Sequence, residues 1–174
     1  MTDIREFLEN EILTWSIVAG LGRGYSVYKK NIGEKERRDM KLFLRKELRE
    51  RFTDDYYFND EVHIKNINRL KLDIETQFSQ ILNHEKISFG RVQKLINLYL
   101  KYRWVCFGGK MPIHCPIDAV VLTKLHIELP WTKMGESDYR NAIDKIKIIA
   151  ATKQIAKWEL NEFNKNNRTY SVER

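Results

Sequence analysis

The stretch from Phe89 to Leu125, FGRVQKLINLYLKYRWVCFGGKMPIHCPIDAVVLTKL, decides the fold of this chain. From Phe89 to about Cys106 it is apolar on nearly every face, which is typical of a helix in the middle of a domain. Ser88 is suited to cap this helix, because its hydroxyl can accept a hydrogen bond from a free backbone N–H. After the loop FGGKMPIHCP, a short helix is predicted to begin near Asp118.

Four further helices are predicted from apolar residues spaced three and four apart. They run from Thr2 to Gly20, from Glu34 to Arg51, from Asp60 to about Asn83, and from about Ser137 to Asn164. The turn NHEKIS joins the third and fourth helices of the chain into a helix-hairpin-helix-like pair. The sequence therefore predicts an all-α, single-domain bundle of about six helices over residues 1–174, with a frayed tail from about residue 165.

The overall charge indicates an anionic partner. The chain of 174 residues carries 31 Lys and Arg against 24 Asp and Glu, a formal net charge of +7. That excess favours nucleic acid as the simplest partner. No run approaches the ~20 apolar residues that span a bilayer, and MTDIREFLEN does not have the pattern of a signal peptide. Cys106 and Cys115 are too few for a disulfide scaffold and are interpreted as reduced thiols in the cytoplasm.

Two successive helix starts carry residues that suit chemistry. Gly90 stands at the start of the second hairpin arm, where exposed backbone N–H groups and the helix dipole can bind a phosphate. Ser88 and Arg91 lie beside it and are predicted to contribute to the same contact. Lys94 follows one turn later, and CPIDAVV places Asp118 at the start of the next helix.

This order resembles the helix-hairpin-helix DNA glycosylases of the 8-oxoguanine and endonuclease III kind. In that family a hairpin glycine precedes a helix with a lysine nucleophile, and a later Val-Asp or Ile-Asp supplies an essential carboxylate. FGRVQK and CPIDAVVLTKL are the matching stretches, within about Ile87 to Leu129. The resemblance implies that Lys94 is the nucleophile and Asp118 the carboxylate. The hairpin has one glycine where the family usually has two, and the gap of 24 residues between Lys94 and Asp118 is longer than in many members.

The pair suits cleavage of a base–sugar bond. Positive charge builds on the deoxyribose during this cleavage, and a carboxylate stabilises it. A lysine can attack the sugar and form a Schiff base. The base must first leave the stack and enter an apolar, aromatic pocket. Tyr102, Trp104 and Trp131 are predicted to wall such a pocket.

A second stretch, GLGRGYSVYKK, combines three glycines with basic residues. Arg23, Lys29 and Lys30 could hold a phosphate backbone here. The stretch could equally be a flexible connector, because it follows no evident strand and lacks the Gly-Lys-Ser/Thr of a phosphate-binding loop. Both interpretations stay open.

Three functions fit the sequence. The first is a DNA-binding protein with glycosylase or lyase activity on a damaged or modified base. The second is a non-catalytic helical module that binds nucleic acid or a protein partner, in which Lys94 is solvated and Asp118 is only a helix cap. The third is a structural protein that forms homo-oligomers through apolar residues of its last helix. No cofactor is predicted, and no metal, because the spacing of the Cys and His residues does not fit a paired-Cys zinc site.

Overall fold

The computed structural model of the chain describes residues 2–22, 26–53, 56, 59–151 and 154–171, with the side chains of 4–22, 26–53, 56, 59–151 and 154–165. Within these residues the fold is all-α, as the sequence predicts. The one extended pairing in this described part is an isolated antiparallel bridge between Tyr28 and Leu82. A single continuous hydrophobic core runs through the helices.

The part of the chain that the structure describes contains seven α-helices. They are α1 (Thr2–Leu21), α2 (Glu34–Arg51), α3 (Asp60–Phe78), α4 (Phe89–Phe107), α5 (Ala119–Lys124), α6 (Glu136–Ala150) and α7 (Ile155–Ser171). Single 3-10 turns lie at Asn83–Glu85 and Trp131–Lys133. Among the described residues, no helix has both the length and the apolar character needed to cross a membrane.

Three helix starts lie where the sequence predicts them, because a side chain accepts from a free backbone N–H at each start. Asn59 caps α3 by accepting from the Val62 N–H at 2.8 Å. Ser88 caps α4, and Asp118 caps α5. The expected central place of α4 is confirmed as well, since α4 contacts α1, α3, α6 and the Trp131–Lys133 turn.

The hairpin between α3 and α4 is longer than predicted. Helix α3 ends at Phe78 rather than near Asn83, and a 3-10 turn follows. Within that turn His84 and Glu85 have φ angles of 54° and 60°, in the left-handed region that non-glycine residues seldom occupy. Two successive residues in that region cannot belong to an α-helix. Neither of them is a glycine, so the sequence did not indicate this irregular turn.

The predicted last helix is in fact two helices. The chain leaves α6 at Ala151 with a φ of 52°, and α7 begins at Ile155. The spacing of the apolar residues in the sequence indicates this break. Ala150 and Ile155 are five positions apart, so they cannot share one face of a continuous helix. The end predicted near Asn164 is also wrong, since α7 continues to Ser171.

Close packing at Gly90 ties α4 to the chain that precedes α6. The Gly90 N–H donates to the Met134 carbonyl at 2.9 Å. A Cβ atom on Gly90 would lie 1.9 Å from the Trp131 carbonyl oxygen and 2.9 Å from the Met134 Cβ. Only glycine fits this contact without moving the backbone of the Trp131–Lys133 turn.

We expect Gly90→Ala to lower the free energy of unfolding by about 1–3 kcal/mol, the usual cost of overpacking a well-packed core. Urea denaturation measures this change. Gly135→Ala is the comparison variant, because the nearest atom to its added Cβ is a side-chain oxygen at 3.5 Å. Gly135 is the N-cap of α6, so this variant should show the smaller loss that comes from replacing a capping glycine without a steric clash. Equal stability of the two variants would contradict the close contact at Gly90.

Candidate functional site

A cavity of about 720 Å³ lies at the turn end of the α3–α4 pair, and we call it the hairpin groove. The segment at residues 26–27, α3, the hairpin turn, the start of α4 and the Trp131–Lys133 turn form its walls. Among the described residues that line it, five are basic and none is acidic. The basic residues are Lys71, His84, Lys86, Arg91 and Lys133.

The glycine-rich stretch and the hairpin meet at this groove. The Lys29 N–H donates to the Ile81 carbonyl, and the Asn83 N–H donates to the Val27 carbonyl, both at 2.9 Å. The Asn83 side chain also donates to the Ser26 carbonyl at 2.7 Å. The described end of the stretch is thus anchored to the hairpin and is more than a flexible connector.

The three basic residues predicted in this stretch have different positions. Lys29 is half-buried, and its ammonium lies 3.9 Å from a carboxylate oxygen of Glu85. Lys30 is exposed in a turn. Arg23 lies outside the described residues. The stretch therefore adds positive charge beside the hairpin groove, although neither Lys29 nor Lys30 lines it.

The fold uses the donors of two residues that were predicted to contact phosphate at the start of α4. The Gly90 N–H is bonded to Met134, as described above. Arg91 is only 5% exposed, and its Nη1 donates to the carbonyls of Gly20 and Leu21 at the end of α1, at 3.1 and 3.0 Å. Burial lowers the pKa of its guanidinium. Ser88, which caps α4, is half-buried and lines the groove.

The structure brings Lys94 and Asp118 together. The Lys94 ammonium lies 3.2 Å from Asp118 Oδ2, while Asp118 Oδ1 accepts from backbone N–H groups of α5. The ammonium also lies 4.5 Å from the centroid of the Trp131 ring, within range of a cation–π interaction. Lys94 is 5% exposed, whereas 31% of the Asp118 side chain is exposed. Solvent therefore reaches this charged centre from the Asp118 side.

The other two predicted pocket aromatics lie elsewhere. Tyr102 packs edge-on against Trp15 of α1, with ring centroids 5.8 Å apart. Trp104 is ten residues beyond Lys94 on α4, which is about 15 Å along the helix axis. Of the three rings predicted to wall one pocket, Trp131 is the one with a described contact to the Lys94–Asp118 pair.

A buried polar stripe on α4 was missed at the sequence level. Gln93 donates to the Ile117 carbonyl at 2.7 Å and accepts from the Ile117 N–H at 3.2 Å, and Asn97 donates to the Cys115 carbonyl at 3.1 Å. These contacts satisfy the backbone of the loop that leads to Asp118. Lys94, Asn97 and Lys101 recur three and four residues apart on an otherwise apolar helix, and this spacing was the available signal.

Asn97 also belongs to a buried hydrogen-bond relay that reaches the surface at Asp60. His63 Nε2 contacts Asn97 Oδ1 at 2.7 Å, and the Asn97 amide donates to the Tyr139 hydroxyl at 2.9 Å. Tyr139 then contacts His114 Nδ1 at 2.9 Å, and His114 Nε2 contacts Asp60 Oδ1 at 3.2 Å. Each donor meets an acceptor when both imidazoles are neutral, with the hydrogen on Nε2.

Both buried histidines resist protonation. Burial lowers the pKa of His63 to about 3 and that of His114 to about 4. The two rings are perpendicular, with centroids 4.9 Å apart, so a charge on one disfavours a charge on the other. Among the described residues no group of three or more His, Cys, Asp or Glu side chains is placed to hold a metal ion.

Comparison with protein-family models finds no match, and comparisons with curated proteins and with solved structures find none either. The similarity to helix-hairpin-helix glycosylases therefore rests on the residues of this chain alone.

We expect the buried histidines to make the fold sensitive to acid. An unfolded histidine binds a proton below a pH of about 6.5, whereas the folded ones stay neutral down to about 4 and 3. The unfolded state thus binds more protons in this window, and the free energy of unfolding falls as the pH is lowered from 6.5 towards 4. The slope should reach about 1.4 kcal/mol per pH unit for each histidine.

Urea denaturation between pH 7 and pH 4.5 measures this slope. His126→Asn is the control variant, because it replaces a histidine that is exposed. His114→Gln should reduce it by the contribution of one histidine. Stability that stays constant over this range in the unmodified protein would contradict the neutral buried relay.

Proposed function

We propose that this chain is a DNA-binding protein and that the hairpin groove contacts the phosphate backbone. The observation that carries this proposal is the rim of the groove, where His84, Lys86 and Lys133 are exposed and no carboxylate occurs among the described lining residues. The other two basic lining residues are engaged within the fold, Lys71 by Glu75 and Arg91 by carbonyls of α1. Neutralised phosphates release condensed counterions, which drives binding that depends strongly on salt. The formal net charge of +7 supports the same kind of partner.

The side chains at the rim of the groove suit a flexible anionic backbone. His84, Lys86 and Lys133 are exposed, and a lysine ammonium on a flexible stem can follow a phosphate as a point charge. Ser88 marks the start of the 19-residue α4, whose dipole adds partial positive charge at that end. A cytoplasmic location belongs to this proposal, since Cys106 and Cys115 are free thiols.

Replacing both rim lysines tests the groove. We expect Lys86→Gln/Lys133→Gln to weaken binding to a DNA duplex for all sequences alike. The slope of log affinity against log salt should become shallower by about 2, since each lost phosphate contact contributes about one. Fluorescence anisotropy at several salt concentrations measures both quantities.

Lys46→Gln/Lys65→Gln is the matched control for this double variant. It removes the same charge from exposed positions on α2 and α3 that do not line the groove. Identical loss of affinity and of salt slope in both double variants would show that only the net charge matters. That result would contradict a binding site at the groove.

Glycosylase or lyase chemistry at Lys94 is the second candidate function. The observation that favours it is the 3.2 Å approach of Lys94 to Asp118, with Trp131 beside them. A nucleophilic lysine must lose a proton and leave its ion pair before it attacks a sugar. Because Lys94 is 5% exposed, this attack also requires the residues packed around its side chain to move aside.

Borohydride trapping on abasic and damaged DNA duplexes tests this chemistry. A covalent adduct is expected with the unmodified protein and with Lys65→Gln, and it should be absent with Lys94→Gln. Asp118→Asn should reduce adduct formation while α5 stays capped, because asparagine is also a good N-cap. Retained DNA binding without any adduct would contradict the Schiff base and leave the binding proposal intact.

A further inference from the structure

Helix α7 places two carboxylates against lysines of the central helices. Glu159 pairs with Lys101 of α4 at 2.7 Å, and both residues are buried, with 8% and 7% of their surface exposed. Glu162 pairs with Lys124 of α5, also at 2.7 Å. Phe163 adds a third contact, since the Lys101 ammonium lies 4.6 Å from its ring centroid.

Among the described side chains of α7, buried apolar residues occur at the beginning of the helix. Ile155, Ala156 and Trp158 are buried in its first turns. From residue 161 to residue 165 no described side chain is buried. The middle of the helix is therefore held mainly by the contacts of Glu159, Glu162 and Phe163 with lysines.

The buried pair of Glu159 and Lys101 attaches α7 with little net gain in stability. Two charges taken out of water lose hydration free energy, and their attraction offsets this loss only in part. Burial raises the pKa of Glu159, although Lys101 acts in the opposite direction. Lys101 thus lies under α7 with a desolvation penalty that an apolar contact of similar size would avoid.

Lys101 continues the line of the charged centre described above. Lys94 lies seven residues earlier on the same face of α4, about 10 Å along the axis. The charges of this centre also act on Glu159, since Asp118 raises the pKa of its carboxyl group and Lys94 lowers it. Three lysines are thus each paired with a carboxylate in this region. Helix α7 supplies two of the carboxylates, Glu159 on Lys101 and Glu162 on Lys124, whereas Lys94 pairs with Asp118 of the α5 cap.

We propose that Lys94, Lys101 and Lys124 form a second phosphate-binding surface for nucleic acid, and that α7 covers Lys101 and Lys124 by placing Glu159 and Glu162 where phosphates bind. Displacement of α7 removes the two carboxylates that pair with Lys101 and Lys124 and leaves the pair of Lys94 and Asp118 in place. A nucleic-acid strand competes with the two carboxylates for Lys101 and Lys124. The proposal shares its ligand class with the proposed function but depends on different residues.

The test compares Glu159→Gln/Glu162→Gln with Glu6→Gln/Glu50→Gln in the full chain. The two variants gain the same net charge, and the second alters exposed carboxylates on α1 and α2. If α7 competes with phosphate, the first variant binds a single-stranded 20-mer of DNA more tightly than the second. Its salt slope should be steeper by about 1.4, because each of the two released lysines contributes about 0.7 on a single strand. Equal affinity and equal slope in the two variants would overturn the proposal.

The same comparison in a Lys86→Gln/Lys133→Gln background separates this surface from the hairpin groove. A gain that persists there belongs to the surface under α7, even if the groove itself does not bind DNA. A gain that disappears there would overturn the second surface and assign all binding to the groove.

Acetylation of lysines followed by mass spectrometry gives a readout that does not depend on affinity. Lys101 should react slowly in the unmodified protein and faster in Glu159→Gln/Glu162→Gln, with circular dichroism confirming that the helices are retained. Added 20-mer should then protect Lys101 and Lys124 in that variant. Lysines that become reactive but are not protected by DNA would overturn the proposal.

Discussion

The buried polar stripe of α4 is the feature on which the rest of the structure depends. Polar side chains within a core must find partners, because an unsatisfied buried group costs about 1–3 kcal/mol. Gln93 and Asn97 meet this need by binding the loop before α5, and Asn97 continues the contact to Tyr139 of α6. Lys101 finds its partner in α7, where it forms an ion pair with Glu159. One helix thus sets the positions of the loop and helices that follow it.

The same helix organises both candidate sites. At its start, Gly90 holds the Trp131–Lys133 turn against α4, which brings Lys133 to the hairpin groove and Trp131 to Lys94. Arg91 fixes the end of α1 beside the groove through two backbone carbonyls. The sequence predicts that Arg91 binds phosphate. In the structure, Arg91 instead holds together the wall of the groove in which phosphate is proposed to bind.

Local signals predict the helix starts of this chain well, since Ser88, Asn59 and Asp118 act through neighbours two or three residues away. The approach of Lys94 to Asp118 was expected only from a resemblance. The anchoring of the glycine-rich stretch on the hairpin was not foreseen, because it joins residues more than 50 positions apart through backbone groups that every sequence has. The relay through His63 and His114 depends on tertiary distances for the same reason.

The central claim is that nucleic acid binds at the hairpin groove. The most direct test is a titration of the 15N-labelled protein with a short DNA duplex, followed by NMR spectroscopy. The account predicts that the largest amide shifts occur at residues 26–30, 83–91 and 131–134, and that they decline as salt is added. Shifts confined to other surfaces, or shifts that do not respond to salt, would contradict it.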